Sequence, residues 1–122
     1  MVPVGHSVLI VDDHPSFRAS VRVLLESEGF TVVGEAPDGA TAVTETHRLR
    51  PEVVLLDIGL PDCDGFDVCA EIVGHDGAAA PAVILVSSRD ASDFGPLLSR
   101  SGALGFVPKA ELSGERLEAL LS

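Results

Sequence analysis

The stretch that decides the fold is Val53-Val54-Leu55-Leu56-Asp57, in which four apolar residues lead directly into a carboxylate. Pro51 precedes the run, and Gly59 and Pro61 follow it, so turn-forming residues bound it on both sides. A short continuous apolar run between turn signals is typical of a strand that is buried on both faces of a sheet. We therefore predict a central strand here, with Asp57 at the point where the chain leaves the core.

Three other strand-sized apolar runs also end in polar residues. In an open parallel sheet, functional groups gather at the carboxyl ends of the strands. We therefore expect an acidic pair, a hydroxyl group and an ammonium group to meet Asp57 at one edge of the sheet. The three runs are Val8–Val11 before Asp12 and Asp13, Ala82–Val86 before Ser87, and Leu104–Val107 before Pro108 and Lys109.

Helix signals lie between these runs. Pro15 suits the first turn of a helix in which Val21 and Leu25 lie about one turn apart on a single apolar face. Asp38 is a predicted N-cap for a second helix, and Pro51 prevents that helix from continuing. Strands that alternate with helices imply right-handed βαβ connections. The predicted fold is therefore α/β, a doubly wound parallel sheet of five strands in the order 2-1-3-4-5 with helices on both faces.

The predicted fourth helix, from Ala91 to about Arg100, contains the pair Gly95-Pro96. Proline lacks the amide donor that a helix interior needs, and it disfavours helical geometry in the residue before it. We therefore expect this helix to be bent, shortened or late in starting. A short last helix is predicted to follow, with Ser113 as its cap.

Length and composition point to one domain. The chain has 122 residues, of which 46% are hydrophobic, enough for a single domain with a substantial core. No apolar run approaches the roughly 18 residues that a membrane helix needs, and residues 1–7 show no signal-peptide pattern. We therefore expect one domain over residues 1–122, with its core at about 7–121, located in the cytoplasm and away from membranes.

The chain is strongly acidic, with a net charge of −11 from 19 acidic residues against 8 lysines and arginines. Nucleic-acid binding needs a basic face that neutralises phosphates, and the sequence has no basic cluster. We therefore expect this chain alone not to bind nucleic acid. Cys63 and Cys69 have no second pair of cysteines or histidines at metal-ligand spacing, so reduced thiols are expected.

The acids at the strand ends need a compensating charge. Asp12, Asp13 and Asp57 would lie within a few ångströms of one another, and like charges at that separation raise pKa values. Mg²⁺ is a hard cation that binds carboxylates, keeps several waters and coordinates phosphoryl oxygens. With Lys109 as a fixed positive charge and Ser87 as a hydroxyl donor, these residues predict a site for a phosphoryl group.

Taken in order, these motifs resemble the receiver domain of two-component response regulators, with its CheY-like fold, over nearly the whole chain. One such motif would be weak evidence, whereas all of them at these spacings form a specific pattern. Besides the five polar site residues, the resemblance rests on three segments: Val8–Pro15 (VLIVDDHP), which resembles the NarL/FixJ-like subfamily, Leu56–Pro61 followed by Asp64-Gly65, and Ser101–Val107 before Lys109.

The resemblance implies that Asp57 is a phosphoacceptor, which takes a phosphoryl group from the phosphohistidine of a sensor histidine kinase. Mg²⁺, with Mn²⁺ as an alternative, would be held by Asp13 directly, by Asp12 mainly through water, by Asp57 and by the Gly59 carbonyl. Lys109 would pair with Asp57 at rest and with the phosphoryl group afterwards. By the same resemblance the chain is not an enzyme, beyond self-phosphorylation from small donors and autodephosphorylation.

The resemblance also implies a switch. Ser87 would move to bind a phosphoryl oxygen, and Phe106 would swing into the vacated space. The face built by helix 4, strand 5 and helix 5 would change, and an output partner or a second copy of the chain would dock there. The output is expected to be a DNA-binding domain that regulates transcription and that this chain lacks.

Two features depart from the family pattern. Pro108 precedes Lys109 and Ala110 follows it, whereas many receivers place proline directly after the lysine. Gly95-Pro96 interrupts the helix that usually relays the signal. This gives the hypothesis that helix 4 is already partly unwound without phosphate, which would weaken two-state switching.

Three other functions compete with this interpretation. A hydrolase of the haloacid-dehalogenase type needs an Asp-x-Asp motif, but Gly59 stands where the second acid is required. A flavin-binding carrier of similar fold needs a phosphate loop rich in Ser, Thr and Gly after the first strand, and the sequence has none there. The alternative that stays open is a degenerate receiver that acts as a phosphorylation-independent interaction scaffold.

Overall fold

The computed structural model describes residues 6–76 and 80–121, and five strands alternate with five α-helices along them. The sheet is parallel throughout, with the strand order β2-β1-β3-β4-β5. The predicted α/β fold and its strand order 2-1-3-4-5 are therefore confirmed. The elements are β1 (Ser7–Val11), α1 (Pro15–Ser27), β2 (Thr31–Ala36), α2 (Gly39–Leu49), β3 (Val53–Asp57), α3 (Gly65–Asp76), β4 (Ala82–Ser87), α4 (Pro96–Arg100), β5 (Gly105–Pro108) and α5 (Gly114–Leu121).

The central strand β3 is buried along its whole length, as its unbroken apolar run predicts. Because successive side chains of a strand point to opposite faces, the strand contributes to two separate cores. Val53 and Leu55 pack on the face covered by α1 and α5, whereas Val54 and Leu56 pack on the face covered by α2 and α3. Burial on both faces explains why the strand carries no polar residue before Asp57.

The helix ends follow the predicted local signals. The carboxylate of Asp38 accepts a hydrogen bond from the Thr41 amide at 2.8 Å, which caps α2. Ser113 does the same for α5, because its Oγ accepts from the Arg116 amide at 3.1 Å. These side chains satisfy amide donors that the first turn of a helix leaves without an internal partner.

The fourth helix is short and starts late, which confirms the expectation from Gly95-Pro96. A single 3₁₀ turn at Ala91–Asp93 comes first, and α4 proper covers only Pro96–Arg100. Gly95 separates the two with a φ of +54°, a left-handed value that side-chain-bearing residues rarely adopt. Proline then begins α4 at a position where its missing amide donor costs nothing.

No helix in the described part of the chain combines the length and the apolar character needed to cross a membrane. Cys63 and Cys69 are both free thiols, and Cys69, on α3, is buried in the core.

Candidate functional site

The strand register gathers the polar strand ends at one edge of the sheet. Val11 pairs with Leu56, so Asp12 and Asp57 follow neighbouring positions in β1 and β3. On the other side of β3, Asp57 pairs with Val86, and Ser87 in turn pairs with Pro108. The residues that end β1, β3, β4 and β5 therefore stand side by side at the carboxyl edge, where open α/β sheets carry their sites.

An acidic cluster lies at the centre of this edge. Ligand atoms of Asp12, Asp13, His14 and Asp57 all lie within 4.8 Å of one another. Asp12 is fully buried and Asp57 nearly so, whereas Asp13 is half-buried. Three carboxylates this close repel one another unless a positive charge intervenes. A cluster of hard carboxylate oxygens is typical of a magnesium site.

Lys109 supplies the positive charge, and it contacts Asp12 as well as Asp57, the partner that the family resemblance implies. Its Nζ lies 2.6 Å from Oδ2 of Asp12 and 3.4 Å from Oδ2 of Asp57. The ammonium also lies 4.3 Å from the ring centroid of Phe17, a cation–π contact from α1. Lys109 therefore bridges two acids and is closer to Asp12 than to the predicted partner.

The pKa values of Asp12 and Asp57 shift in opposite directions. Burial raises the pKa of Asp57, and the Asp12 charge adds to this effect, although Lys109 opposes it. The pKa of Asp12 is lowered, because hydrogen bonds from Lys109 and His14 outweigh the effect of burial. Burial acts to lower the pKa of Lys109, whereas its contacts with Asp12 and Asp57 act to raise it. The contacts outweigh burial, so the pKa of Lys109 is raised. Lys109 therefore stays protonated beside the acids at neutral pH.

The loop after β3 holds the carboxylate of Asp57 in place. Oδ1 of Asp57 accepts a hydrogen bond from the Gly59 amide at 3.2 Å. Gly59 and Asp64 form an isolated antiparallel β-bridge between their backbones. The Gly65 amide donates to the Ile58 carbonyl at 2.9 Å, and the two contacts close the loop. These contacts direct the two oxygens of Asp57 differently, one toward the loop backbone and the other toward Lys109.

Ser87 and Phe106, the predicted switch residues, lie on the β4 and β5 side of the site. Ser87 is buried, and its Oγ accepts a hydrogen bond from the Arg89 amide at 3.0 Å. Phe106 is half-buried, with its ring centroid 5.8 Å from that of Phe94. Both residues thus have packing partners within the fold, and their switching roles stay predictions.

His14, which follows the acidic pair directly, contacts it through both its backbone and its ring. His14 is the N-cap residue of α1, and its amide donates to Oδ1 of Asp12 at 2.8 Å. The imidazole Nδ1 also lies 3.0 Å from Asp12 and 3.1 Å from Asp13. The signal for this contact was the position of His14 directly after the acidic pair, where its ring can turn back onto the carboxylates.

The environment of the Asp13 carboxylate also suits a divalent cation. Oδ1 of Asp13 is buried and has no hydrogen-bond partner in the part of the chain that the structure describes, although the His14 ring lies 3.1 Å away. A buried carboxylate oxygen without a hydrogen bond is costly, and a hard cation would satisfy it. The donor set is therefore suited to Mg²⁺.

Comparison with known proteins decides the family. A family model described as the response regulator receiver domain matches residues 8–121. The chain belongs to this family. As a receiver domain it is a phosphoacceptor rather than an enzyme, and its curated homologues in the NarL/LuxR family are transcription regulators.

Two curated relatives illustrate the likeness. The nitrate/nitrite response regulator NarP of Escherichia coli is 40% identical over 114 residues. The virulence-factor transcription regulator BvgA of Bordetella pertussis is 40% identical over 115 residues. The alignments cover 93% of this receiver domain but only 52% of NarP and 54% of BvgA. The chain therefore spans about half the length of the curated relatives it matches.

Solved structures agree with this assignment. The signal receiver domain of NarL from Mycobacterium tuberculosis is 34% identical, with a TM-score of 0.82 and coverage of 98% of this chain and 99% of that one. A LuxR-family response regulator from Aurantimonas is 31% identical, with a TM-score of 0.86 and coverage of 96% and 85%. The receiver fold is thus shared over almost the whole chain.

Proposed function

We propose that this receiver domain accepts a phosphoryl group on Asp57 from the phosphohistidine of a sensor histidine kinase. The observation that carries the proposal is the position of the Asp57 carboxylate at the end of β3, with Lys109 at 3.4 Å and the acidic pair beside it. A nucleophilic carboxylate next to a fixed cation and a cation-binding cluster suits phosphoryl transfer, which depends mainly on positioning and charge.

The transfer is a single exchange of bonds. A carboxylate oxygen of Asp57 forms a bond to phosphorus while the bond between phosphorus and the histidine nitrogen breaks. The electron pair of that bond stays on the nitrogen, which then takes a proton. Lys109 stays charged because its pKa is raised, so its ammonium offsets negative charge that accumulates at the phosphoryl oxygens.

Asp12, Asp13, Asp57 and the Gly59 carbonyl would hold Mg²⁺, or Mn²⁺, which prefers the same oxygen ligands. When bound, the ion would neutralise charge on the acids and on the incoming phosphoryl group. The low pKa of Asp12 keeps one ligand ionised near neutral pH, which favours cation binding there.

The switch that follows would pass through Ser87 and Phe106. Ser87 would exchange the Arg89 amide for a phosphoryl oxygen, and Phe106 would move into the space that Ser87 leaves. Ser87 ends β4, and Phe106 lies on β5, which is part of the face formed by α4, β5 and α5. That face carries two exposed leucines, Leu97 and Leu104, which suit an output partner or a second copy of the chain.

The whole protein would be a cytoplasmic transcription regulator. We infer a DNA-binding output domain outside residues 1–122, because BvgA is a transcription regulator and the alignment covers only 54% of its length. The receiver itself, with its net charge of −11, would contribute regulation and not contact with nucleic acid.

Incubation with acetyl phosphate and Mg²⁺, followed by intact mass measurement, tests the proposal. One added phosphate is expected, and it should be absent in Asp57→Asn and in samples treated with EDTA. Asp67→Asn is the matched control, since Asp67 is an exposed acid in the first turn of α3, and it should be phosphorylated normally. Failure of the wild-type chain to gain phosphate would contradict the proposal and favour a phosphorylation-independent scaffold.

A further inference from the structure

We propose that Arg18 is a positioning residue that fixes the acidic pair for cation binding, an inference that rests on the proposed function. Arg18 lies on α1, and its Nη1 donates a hydrogen bond to the backbone carbonyl of Asp12 at 2.6 Å. Its Nε donates to Oε1 of Glu35, on β2, at 2.9 Å. One guanidinium group therefore ties the end of β1 to the edge strand of the sheet.

The amide side of Asp12 is tied to the same strand. Its N–H donates to the carbonyl of Ala36, the last residue of β2, at 3.0 Å. Arg18 and Glu35 complete the arrangement on the carbonyl side, so β2 holds the backbone of Asp12 from both directions. An arginine suits this bridge because its planar donors are fixed relative to one another, whereas a lysine has a single flexible ammonium.

The carbonyl of Asp12 belongs to the peptide group that leads into Asp13. A peptide group is planar, so a hydrogen bond that fixes the carbonyl also fixes the direction in which the Asp13 amide and Cα leave. The direction of the Asp13 carboxylate follows from this. Its buried Oδ1 has no hydrogen-bond partner among the described residues, and the His14 ring 3.1 Å away is carried by the same backbone segment.

Glu35 accepts hydrogen bonds from two arginines of α1, Arg18 and Arg22, and Arg22 serves as the comparison residue. Its Oε2 accepts from Nε of Arg22 at 2.8 Å, while its Oε1 accepts from Arg18. Arg22 lies one turn further along α1, and its contacts are with Glu35 and Glu26. Arg18 is 16% exposed in its side chain and Arg22 36%, so both are partly buried. Only the Arg18 contacts extend to the acidic pair.

The pair of variants Arg18→Lys and Arg22→Lys tests the inference, because both keep the charge and both disturb an ion pair with Glu35. Titration of each purified chain with MgCl₂ in a calorimeter, without a phosphoryl donor, measures cation affinity directly. Arg18→Lys should weaken Mg²⁺ binding about tenfold, the lower end of the loss seen when a group that orients a metal ligand is removed. Arg22→Lys should stay within about twofold of the wild type.

A thermal unfolding scan of the same samples separates positioning from folding. Both variants should unfold in a single transition, each at a lower temperature because of its lost contact with Glu35, with a further decrease in Arg18→Lys from its lost hydrogen bond to the Asp12 carbonyl. Should Arg18→Lys fail to fold, Glu35→Gln replaces it, and weaker Mg²⁺ binding by that variant is the expected result.

Equal Mg²⁺ affinity in Arg18→Lys and the wild type would overturn the positioning role and leave the proposed function untouched. Absence of Mg²⁺ binding by the wild-type chain would overturn both. Phosphorylation of Asp57 by acetyl phosphate, measured separately by mass, distinguishes these two failures.

Discussion

The ammonium nitrogen of Lys109 lies 2.6 Å from Oδ2 of Asp12, a carboxylate that is completely shielded from solvent. Ninety-seven positions separate the two residues in the chain, and the contact joins the ends of β1 and β5 across the sheet. Asp57 shares the same ammonium at 3.4 Å. Lys109, the sole lysine of the chain, thus balances two buried acids before any phosphoryl group arrives.

Lys109→Met should destabilise the fold, because it leaves the buried Asp12 carboxylate without its counter-charge. We expect the free energy of unfolding to fall by about 3 kcal/mol, the usual cost when one partner of a buried ion pair is removed. Urea unfolding measures the loss. Arg48→Met is the control, since Arg48 pairs with Glu45 on the exposed side of α2 and should cost about 0.5 kcal/mol or less. Equal losses in the two variants would contradict the argument.

Asp57→Asn should stabilise the fold when no divalent cation is bound. The substitution removes one of three clustered carboxylates, while Lys109 keeps Asp12 as its partner. Relief of repulsion between carboxylates that lie within 4.8 Å of one another is worth on the order of 1 kcal/mol. Urea unfolding in EDTA measures the gain, which saturating Mg²⁺ should reduce. Asp67→Asn, in the first turn of α3, should show no comparable gain.

Glu35 should make stability depend on pH. Hydrogen bonds from Arg22 and Arg18 lower the pKa of its carboxyl group in the folded chain, although burial acts against them. A lowered pKa means that this stabilisation is present above the unfolded pKa and is lost as pH falls through the folded pKa. The wild type should therefore exceed Glu35→Gln in stability at neutral pH, and the difference should shrink in acid. A difference that stays constant between neutral and acidic pH would argue against the ion pairs as its source.

Gly65→Ala should disrupt the loop that carries Asp57. A Cβ at this position would lie 2.5 Å from Cα of Ile58 and 2.7 Å from the carbonyl oxygen of Asp57, both backbone atoms that cannot move aside. We expect a loss of about 2 kcal/mol in unfolding free energy, as for overpacked cores, together with slower phosphorylation. Gly74→Ala, in the same helix, meets nothing within 4 Å and should gain about 0.5 to 1 kcal/mol from helix propensity. Tolerance of Gly65→Ala would contradict the steric argument.

Hydrogen exchange should distinguish α4 from α3. The helix α4 has five residues and follows a left-handed Gly95, whereas α3 runs over twelve and packs Cys69 and Ile72 into the core. Segments with few buried contacts open at low free-energy cost. Amides in residues 94–101 should therefore exchange faster than those in α3 without phosphate. Comparable protection in both segments would contradict the hypothesis that α4 is partly unwound and that switching is weak.

The sequence by itself determined the fold and the edge of the sheet that carries the site. Unbroken apolar runs such as Val53–Leu56 mark strands buried on both faces, and the turn residues around them mark where each strand ends. In a parallel sheet all carboxyl ends lie at one edge, so local signals were enough to bring Asp12, Asp57 and Lys109 together. The late start of α4 followed equally from one local rule about proline.

Only the tertiary structure decided which side chains touch within that edge. Lys109 lies nearer to Asp12 than to Asp57, the His14 ring turns back onto the acidic pair, and Arg18 reaches the carbonyl of Asp12. Each of these contacts depends on separations of an ångström or two between segments far apart in the chain. Hydrophobic periodicity carries no information at that scale, because it specifies which face a residue occupies and not the rotamer or partner it adopts there.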